Sequence, residues 1–156
     1  MITIGLISDT HGVLRPKIHT VFQGVDVILH AGDVCGEDIL HELRAIAPVH
    51  AVAGNCDPIG DPELPLVFEH TFEGARLHMS HGNELGRPKP EQLLAAYPDA
   101  DVIVYGHTHH QMIFKSADVM VVNPGSAGAP RFNMPPTVAI MRIDEGRVAV
   151  DLIALE

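Results

Sequence analysis

Five short segments carry side chains able to bind a metal or move a proton: Asp9-Thr10-His11-Gly12, Gly32-Asp33, Gly54-Asn55-Cys56-Asp57, His81-Gly82-Asn83 and Gly106-His107-Thr108-His109-His110. Each follows an apolar run that reads as a strand: ITIGLIS, VILHA, VHAVA, RLHMS and VIVY. A lone Asp or Asn at such an exit usually forms a turn or caps a helix, and a lone His there is usually solvated. Turn formers come mainly from Gly, Asn, Asp, Pro and Ser, so turn chemistry does not account for His11, His81, His107 and His109 together. If the chain stays extended past Gly106, His107 and His109 point to one side, and His110 points away as a solvated or supporting group.

The set is two carboxylates (Asp9, Asp33), four imidazoles (His11, His81, His107, His109) and one amide (Asn55). Such donors are too many for one tetrahedral site and suit two cations if a carboxylate bridges them. Imidazole with oxygen favours Mn, Fe, Zn, Co or Ni over the all-oxygen preference of Mg or Ca. No thiolate is required, which disfavours a structural zinc site. Two divalent ions with a bridging hydroxide would leave a local positive charge, an anion-seeking spot in a chain of formal charge −10.

Gathering positions 9 to 109 needs a frame, and 156 residues allow one domain, spanning 1–156, with a substantial core. A hydrophobic share of 46% with 19% charged residues fits a globular rather than a disordered chain. The N-terminal residues carry no basic stretch, and no apolar run approaches the ~18 residues of a membrane span, so a cytoplasmic protein is expected. The basic residues are scattered, which counts against a long nucleic-acid partner. Cys35 and Cys56 are read as reduced thiols in small buried or half-buried positions.

The first half alternates strand and helix. Strands begin at Ile2, Val25 and Val49, with helices over Pro16 to Gln23 and Glu37 to Ala47; Ile39, Leu40, Leu43 and Ile46 form a helical stripe and Pro48 stops it. Continuous apolar strands joined by helices suggest a parallel sheet covered on both faces. The second half holds hairpins turning near Glu73-Gly74, Ser116-Ala117-Asp118 and Asp144-Glu145-Gly146, with a helix from Pro90 to Tyr97. The expected fold is α/β, with two sheets packed together and helices outside. If the five exits leave parallel strands, they share the carboxyl edge, where open α/β folds place ligands.

Asp9-x-His11, Gly32-Asp33, Gly54-Asn55-x-Asp57, His81-Gly82 and Gly106-His107-Thr108-His109 resemble, in order, the motif set of the calcineurin-like metallophosphoesterases. The size, with Asn123-Pro124-Gly125-Ser126 and Pro130-Arg131, is similar to the compact YfcE-type phosphodiesterase subgroup. The resemblance implies a sandwich of two mixed β-sheets flanked by helices, with a dinuclear centre at the strand ends. It implies Asp9, His11, Asp33 and His109 around one metal, and Asp33 (bridging), Asn55, His81 and His107 around the other. Mn is the leading metal, with Zn, Fe, Ni or Co as alternatives. Two such ions would lower the pKa of a bridging water and draw charge from the phosphate. Asp33, Asn55 and His81 are the expected catalytic positions, Asn55 because an amide coordinates without adding charge where phosphate enters. The imidazoles must be neutral to bind, so activity should fail at low pH.

The expected substrate is a small or activated phosphodiester, with a nuclease or phosphomonoesterase on the same metal core as alternatives. The retromer scaffold subunit resembles this fold and works by protein binding, which keeps a non-enzymatic scaffold open. A homodimer is an expectation from the family. Where many members carry a histidine after the asparagine, this chain has Cys56; a thiol of pKa ~8.5 is a poor general acid, so Cys56 should be dispensable. Asp57 is read either as an orienting group or a turn cap and His110 as an alternative proton source; the Asn123-to-Arg131 loop is read as a hairpin connection, with Arg131 as a substrate contact the alternative. Asn83 and Thr108 are read as supports for ligands, and His30, His50 and His78 as core or surface histidines.

Overall fold

The computed structural model describes residues 1–128 and 134–156; Pro130 and Arg131 therefore lie outside the described residues. In chain order the elements are β1 (Ile2–Ile7), α1 (Lys17–Val21), β2 (Val27–His30), α2 (Glu37–Arg44), β3 (Val49–Ala51), β4 (Val67–Phe72) and β5 (Ala75–Ser80). A 3-10 turn (Asn83–Leu85) leads to α3 (Pro90–Ala96), then β6 (Val102–Val104), β7 (Met112–Ser116), β8 (Val119–Asn123), β9 (Thr137–Asp144) and β10 (Arg147–Ala154).

One sheet has the order β10-β9-β1-β2-β3, with β1, β2 and β3 parallel and β9 and β10 antiparallel to their neighbours. The other runs β4-β5-β6-β8-β7, with β5, β6 and β8 parallel and β4 and β7 antiparallel edges. The exits thus come from two parallel sets, β1 to β3 and β5 to β6, rather than from one continuous edge.

Strand alternation explains the unbroken apolar runs. Ile4, Leu6, Val27, Leu29, Val102 and Val104 point into the core between the sheets. Ile7 and Ile28 face outward beneath Ile18 and Phe22 of the α1 region and Ile39, Leu40 and Leu43 of α2. On the second sheet Ile103, Tyr105 and Val121 pack under Leu93 of α3. Both faces of the inner strands are covered, which is why they lack a polar alternation. Each fully buried aliphatic side chain contributes about 2 kcal/mol to holding the sheets in place.

The hairpin turns fall where the sequence suggested. Glu73-Gly74 and Glu145-Gly146 adopt φ of 47°, 87°, 49° and 79°, the paired left-handed geometry that matches strand twist. The segment after Asn123 is a crossover, not a hairpin connection: β8 and β9 belong to different sheets. The distinction matters because this crossover passes under the β1 exit, with Ala127 N–H on Ser8 O at 3.0 Å and Ser126 Oγ on Asp9 O at 3.1 Å.

Candidate metal centre

The exits of β1, β2, β3, β5 and β6 converge where the two sheets meet. Asp9 lies at the centre of the cluster and is fully buried. Its Oδ1 lies 3.3 Å from His109 Nε2, 3.7 Å from His11 Nε2 and 3.8 Å from His81 Nε2. Asp33 Oδ2 lies 3.5 Å from His11 Nε2 and 3.3 Å from His81 Nε2. Asn55 Oδ1 is 3.1 Å from His81 Nε2, and the His81 and His107 rings are 5.2 Å apart. All the expected site residues, Asp9, His11, Asp33, Asn55, His81, His107 and His109, are thereby brought together. Ligand atoms of Asp9, His11 and His109, and of Asp9, Asp33 and His81, lie within 4.8 Å of one another. Asp9 takes part in both groups, a central position that the sequence reading gave to Asp33 alone.

The backbone bends sharply to achieve this. Asp9, His11, Asp33, His107 and His109 have φ of 54°, 46°, 55°, 65° and 63°, the left-handed region that non-glycine residues avoid. Each such residue costs about 1 kcal/mol or more and persists only when its surroundings hold it. The extended geometry expected past Gly106 is therefore replaced by a tight loop. In that loop Thr108 N–H bonds Gly106 O at 2.7 Å and His107 N–H bonds Asp9 Oδ2 at 3.2 Å. Close approach dictates two glycines: a Cβ at Gly54 would strike the Asp33 carboxylate and backbone, and one at Gly106 would strike Ser8 Oγ.

Several residues hold this arrangement without entering the cluster. Asp57 is buried and accepts the N–H groups of Val34, Cys35 and Gly54 at 3.1, 2.9 and 2.9 Å. It ties the Asp33 loop to the Asn55 loop, so it is more than a local turn cap. Ser8 Oγ donates to Asp9 Oδ2 at 2.6 Å. Asn123 Nδ2 donates to Thr108 Oγ1 at 3.0 Å and to Gly106 O at 3.1 Å. His30, fully buried, pairs Nε2 with Thr10 Oγ1 at 3.1 Å and accepts Gly32 N–H on Nδ1 at 3.2 Å. His50 stacks on Phe68, His78 is buried against Tyr97, and exposed His110 sets its N–H on Thr108 Oγ1 at 3.4 Å. Asn83 opens the 3-10 turn after His81.

Cys35 and Cys56 form a disulfide, which corrects the reading of two reduced thiols. Asp33 and Asn55 each lie close to one of these cysteines in sequence, so folding the two loops onto one centre brings the sulfurs together. Both approach His11 Nδ1, at 3.7 and 3.9 Å. In this form Cys56 carries no proton and cannot act as an acid. Arg87, missed in the sequence, donates Nη2 to Thr108 O at 3.3 Å and stands as a cation beside His107. Arg87 follows the His81-Gly82-Asn83 motif by a few residues, but a lone arginine in a proline-containing loop gives no local signal of that contact.

The charges in the cluster shift one another. Burial opposes ionisation of Asp9, but His109, His11 and His81 outweigh it and hold the carboxyl far below the usual range. Asp33 is lowered too: burial acts against it, while His81 and the Cys56 N–H prevail. Burial pulls His81 down, yet Asp33 and Asp9 bring it above its ordinary value, with Nδ1 facing Ala31 O at 2.7 Å. Burial and the facing His81 lower His107. His30 falls to about 4 through burial and stays neutral. Asp9 Oδ1 and His11 Nε2 are buried with no hydrogen-bond partner among the described residues. Buried polar atoms are rarely left so, and two inward-facing lone-pair donors, a carboxylate oxygen and an imidazole nitrogen, suit a cation.

The sequence pattern of the calcineurin-like phosphoesterase superfamily domain matches residues 2–146. A probable metallophosphoesterase of Methanothermobacter thermautotrophicus is 37% identical, covering 96% of this chain and 91% of that protein. Phosphodiesterase YfcE of Escherichia coli K12 is 30% identical, covering 92% and 89%. Among solved structures, Vps29 of Entamoeba histolytica complexed with Zn2+ superposes with a TM-score of 0.81 at 21% identity, covering 99% of this chain and 100% of that one. The fold, the family pattern and the two close relatives agree, and the chain belongs to the calcineurin-like phosphoesterase superfamily, as a phosphoesterase.

Proposed function

We propose that the protein is a metal-dependent phosphodiesterase acting on small or activated phosphodiesters. The observation that carries this is the convergence of Asp9, Asp33, Asn55 and four histidines, with Asp9 Oδ1 and His11 Nε2 buried and without a hydrogen-bond partner among the described residues. The donor set fits two divalent transition ions, Mn first and Zn, Fe, Ni or Co as alternatives. Asp9, His11, Asp33 and His109 would hold one ion, and Asp33, Asn55, His81 and His107 the other, with Asp9 placed to reach toward both. When bound, the ions would activate water and neutralise charge on the phosphate oxygens.

The chain's own residues set the rest. Asp57 and the disulfide keep the Asp33 and Asn55 loops in register. Ala31 O fixes the His81 ring so that Nε2 faces Asp33 and Asn55. Asn55 is exposed and offers an uncharged oxygen on the substrate side. Arg87, beside His107, is placed to attract a phosphate. No imidazole succeeds Asn55, and Cys56 is a poor acid as a thiol and none as a disulfide, so good leaving groups should be preferred. The name of YfcE supports a diester, and the Zn2+ complex of Vps29 supports metal uptake by this fold. No helix among the described residues is long and apolar enough to cross a membrane. A cytoplasmic enzyme is the companion reading, in which the reducing thiol pool would open the Cys35–Cys56 bond. The homodimer rests on the resemblance alone.

The likeness to Vps29 also favours a second reading, a protein-binding scaffold with little catalysis. Chelator-stripped protein should hydrolyse bis(p-nitrophenyl) phosphate only after Mn2+, Zn2+ or Ni2+ is restored, and should prefer it to p-nitrophenyl phosphate. Indifference to every metal would leave the scaffold.

A further inference from the structure

Beside the centre, on the Asn55 and His81 side, lies a recess of about 330 Å3 walled by Leu66, Val67, His81, Asn83, Glu84 and Tyr97. Leu66 is 67% exposed and Val67 43%. Single exposed apolar residues are ordinary, but two in succession, lining one recess with an aromatic ring and beside a polar cluster, have the make-up of a ligand pocket. Tyr97 is fixed in place. Its ring stacks on His78 with centroids 3.6 Å apart, and its hydroxyl donates to Glu84 Oε1 at 3.1 Å. His78 is held in turn by Ser80 Oγ at 3.1 Å. Glu84 Oε2 accepts the Gly82 N–H at 3.0 Å, which pins the carboxylate to the wall while each oxygen keeps a second lone pair.

We infer that this recess receives the ring-bearing arm of the diester, and that the class it selects is a nucleobase carrying an amino group. The inference rests on the phosphodiesterase reading and specifies its substrate. Leu66, Val67 and the Tyr97 ring offer apolar surface to the faces of a flat ring. His81 belongs both to the recess and to the metal-ligand cluster, so a base joined through ribose can enter while its phosphate stays at the centre. The Glu84 carboxylate accepts an N–H and repels a second phosphate, which selects an amino-bearing base over a polyphosphate arm. The chain's net charge of −10 adds the same bias against long polyanions.

Adenosine tests this, because it carries the ring without the phosphate. Full-length protein is followed by saturation-transfer NMR, first stripped of metal and then with Zn2+ restored, a diamagnetic ion that leaves the ligand resonances sharp. Adenine ring protons should receive saturation in both states, and free ribose should receive none. Leu66→Arg replaces an already exposed side chain, so folding is spared, and should weaken adenosine binding roughly tenfold. Purine riboside, which lacks the amino group, should bind about threefold more weakly than adenosine, a difference that Glu84→Gln should narrow. Absence of transfer in the unmodified protein, equal affinity in Leu66→Arg, or equal binding of purine riboside would overturn the assignment. A protein that binds adenosine yet cleaves no diester would refute only the phosphodiesterase reading; one that cleaves diesters yet ignores adenosine would refute only the recess.

Discussion

Two parts of the sandwich carry left-handed backbone at residues other than glycine, and they are built differently. At the hairpin turns the residues are Glu73, Ala117 and Glu145; at the candidate centre they are Asp9, His11, Asp33, Cys35, His107 and His109. In two of the turns a glycine follows directly and the strands close on each other within a few residues, so the conformation is supplied locally. At the centre it is supplied from afar. Asp57 holds Val34 and Cys35 from 23 and 22 residues away, and Ser126 holds Asp9 from 117. Local geometry tolerates substitution, whereas geometry assembled from distant contacts fails when one contact is removed.

Alanine at two glycines should expose that contrast most sharply. Gly54→Ala would drive a methyl into Asp33, and a loss of about 4 kcal/mol or failure to fold is expected. Gly74→Ala meets only ordinary contacts at φ 87° and should cost about 1–2 kcal/mol. Urea unfolding of both variants checks the pair; equal losses would erase the distinction.

Next in size is Asp57→Ala, which strips three N–H groups of their acceptor and should cost about 3 kcal/mol. Metal affinity should fall with it, because the Asp33 and Asn55 loops lose their common tie. Calorimetric metal titration beside urea unfolding reads both effects, and wild-type metal affinity in a destabilised variant would contradict that role.

The first part of the comparison was legible in the sequence and much of the second was not. Glu-Gly turns, the Ile39-Leu40-Leu43 stripe and the polar strand exits are local patterns, and the corresponding elements and converging side chains are present. Asp57's three bonds, the place of Arg87 beside His107 and the recess at Leu66 arise only once strands from different parts of the chain adjoin. The disulfide was misread for the same reason: sulfurs separated by 21 residues become neighbours only when the Asp33 and Asn55 loops fold onto one centre. The continuous carboxyl edge expected from one parallel set became two sets meeting at the sheet boundary, because β5 and β6 start a second sheet behind the β4 hairpin.

Reduction of the Cys35–Cys56 bond releases a cross-link over 21 residues and should cost about 3 kcal/mol of stability. Bis(p-nitrophenyl) phosphate turnover by Cys56→Ala should stay within about tenfold of wild type, as neither sulfur supplies a proton. A loss beyond about a hundredfold would show that the bond or the thiol takes part in catalysis.

The smallest expected effect concerns pH. The contribution of His81 to metal-free stability is in place below its ordinary value of 6.5 and is lost as pH climbs through its raised value. His30, held at about 4, acts in the opposite sense, since its stability is lost as pH falls below the ordinary value. Between pH 6 and 8 metal-free stability should therefore decline as His81 loses its proton, because the gain from His30 is largely complete at its ordinary value. Metal needs neutral imidazoles, so the metal-induced rise in Tm should grow over that interval. A rise in Tm independent of pH would contradict the involvement of His81.

The most direct test of the central claim is the metal content of the protein, reconstituted with Mn2+ and measured by elemental analysis beside an Asp9→Asn variant. Asp9 Oδ1 belongs to one ligand set and approaches His81 of the other, so about two ions per chain are expected in the wild type and about one or fewer in the variant. Equal metal in the two proteins, or none in either, would contradict a dinuclear centre built around this carboxylate.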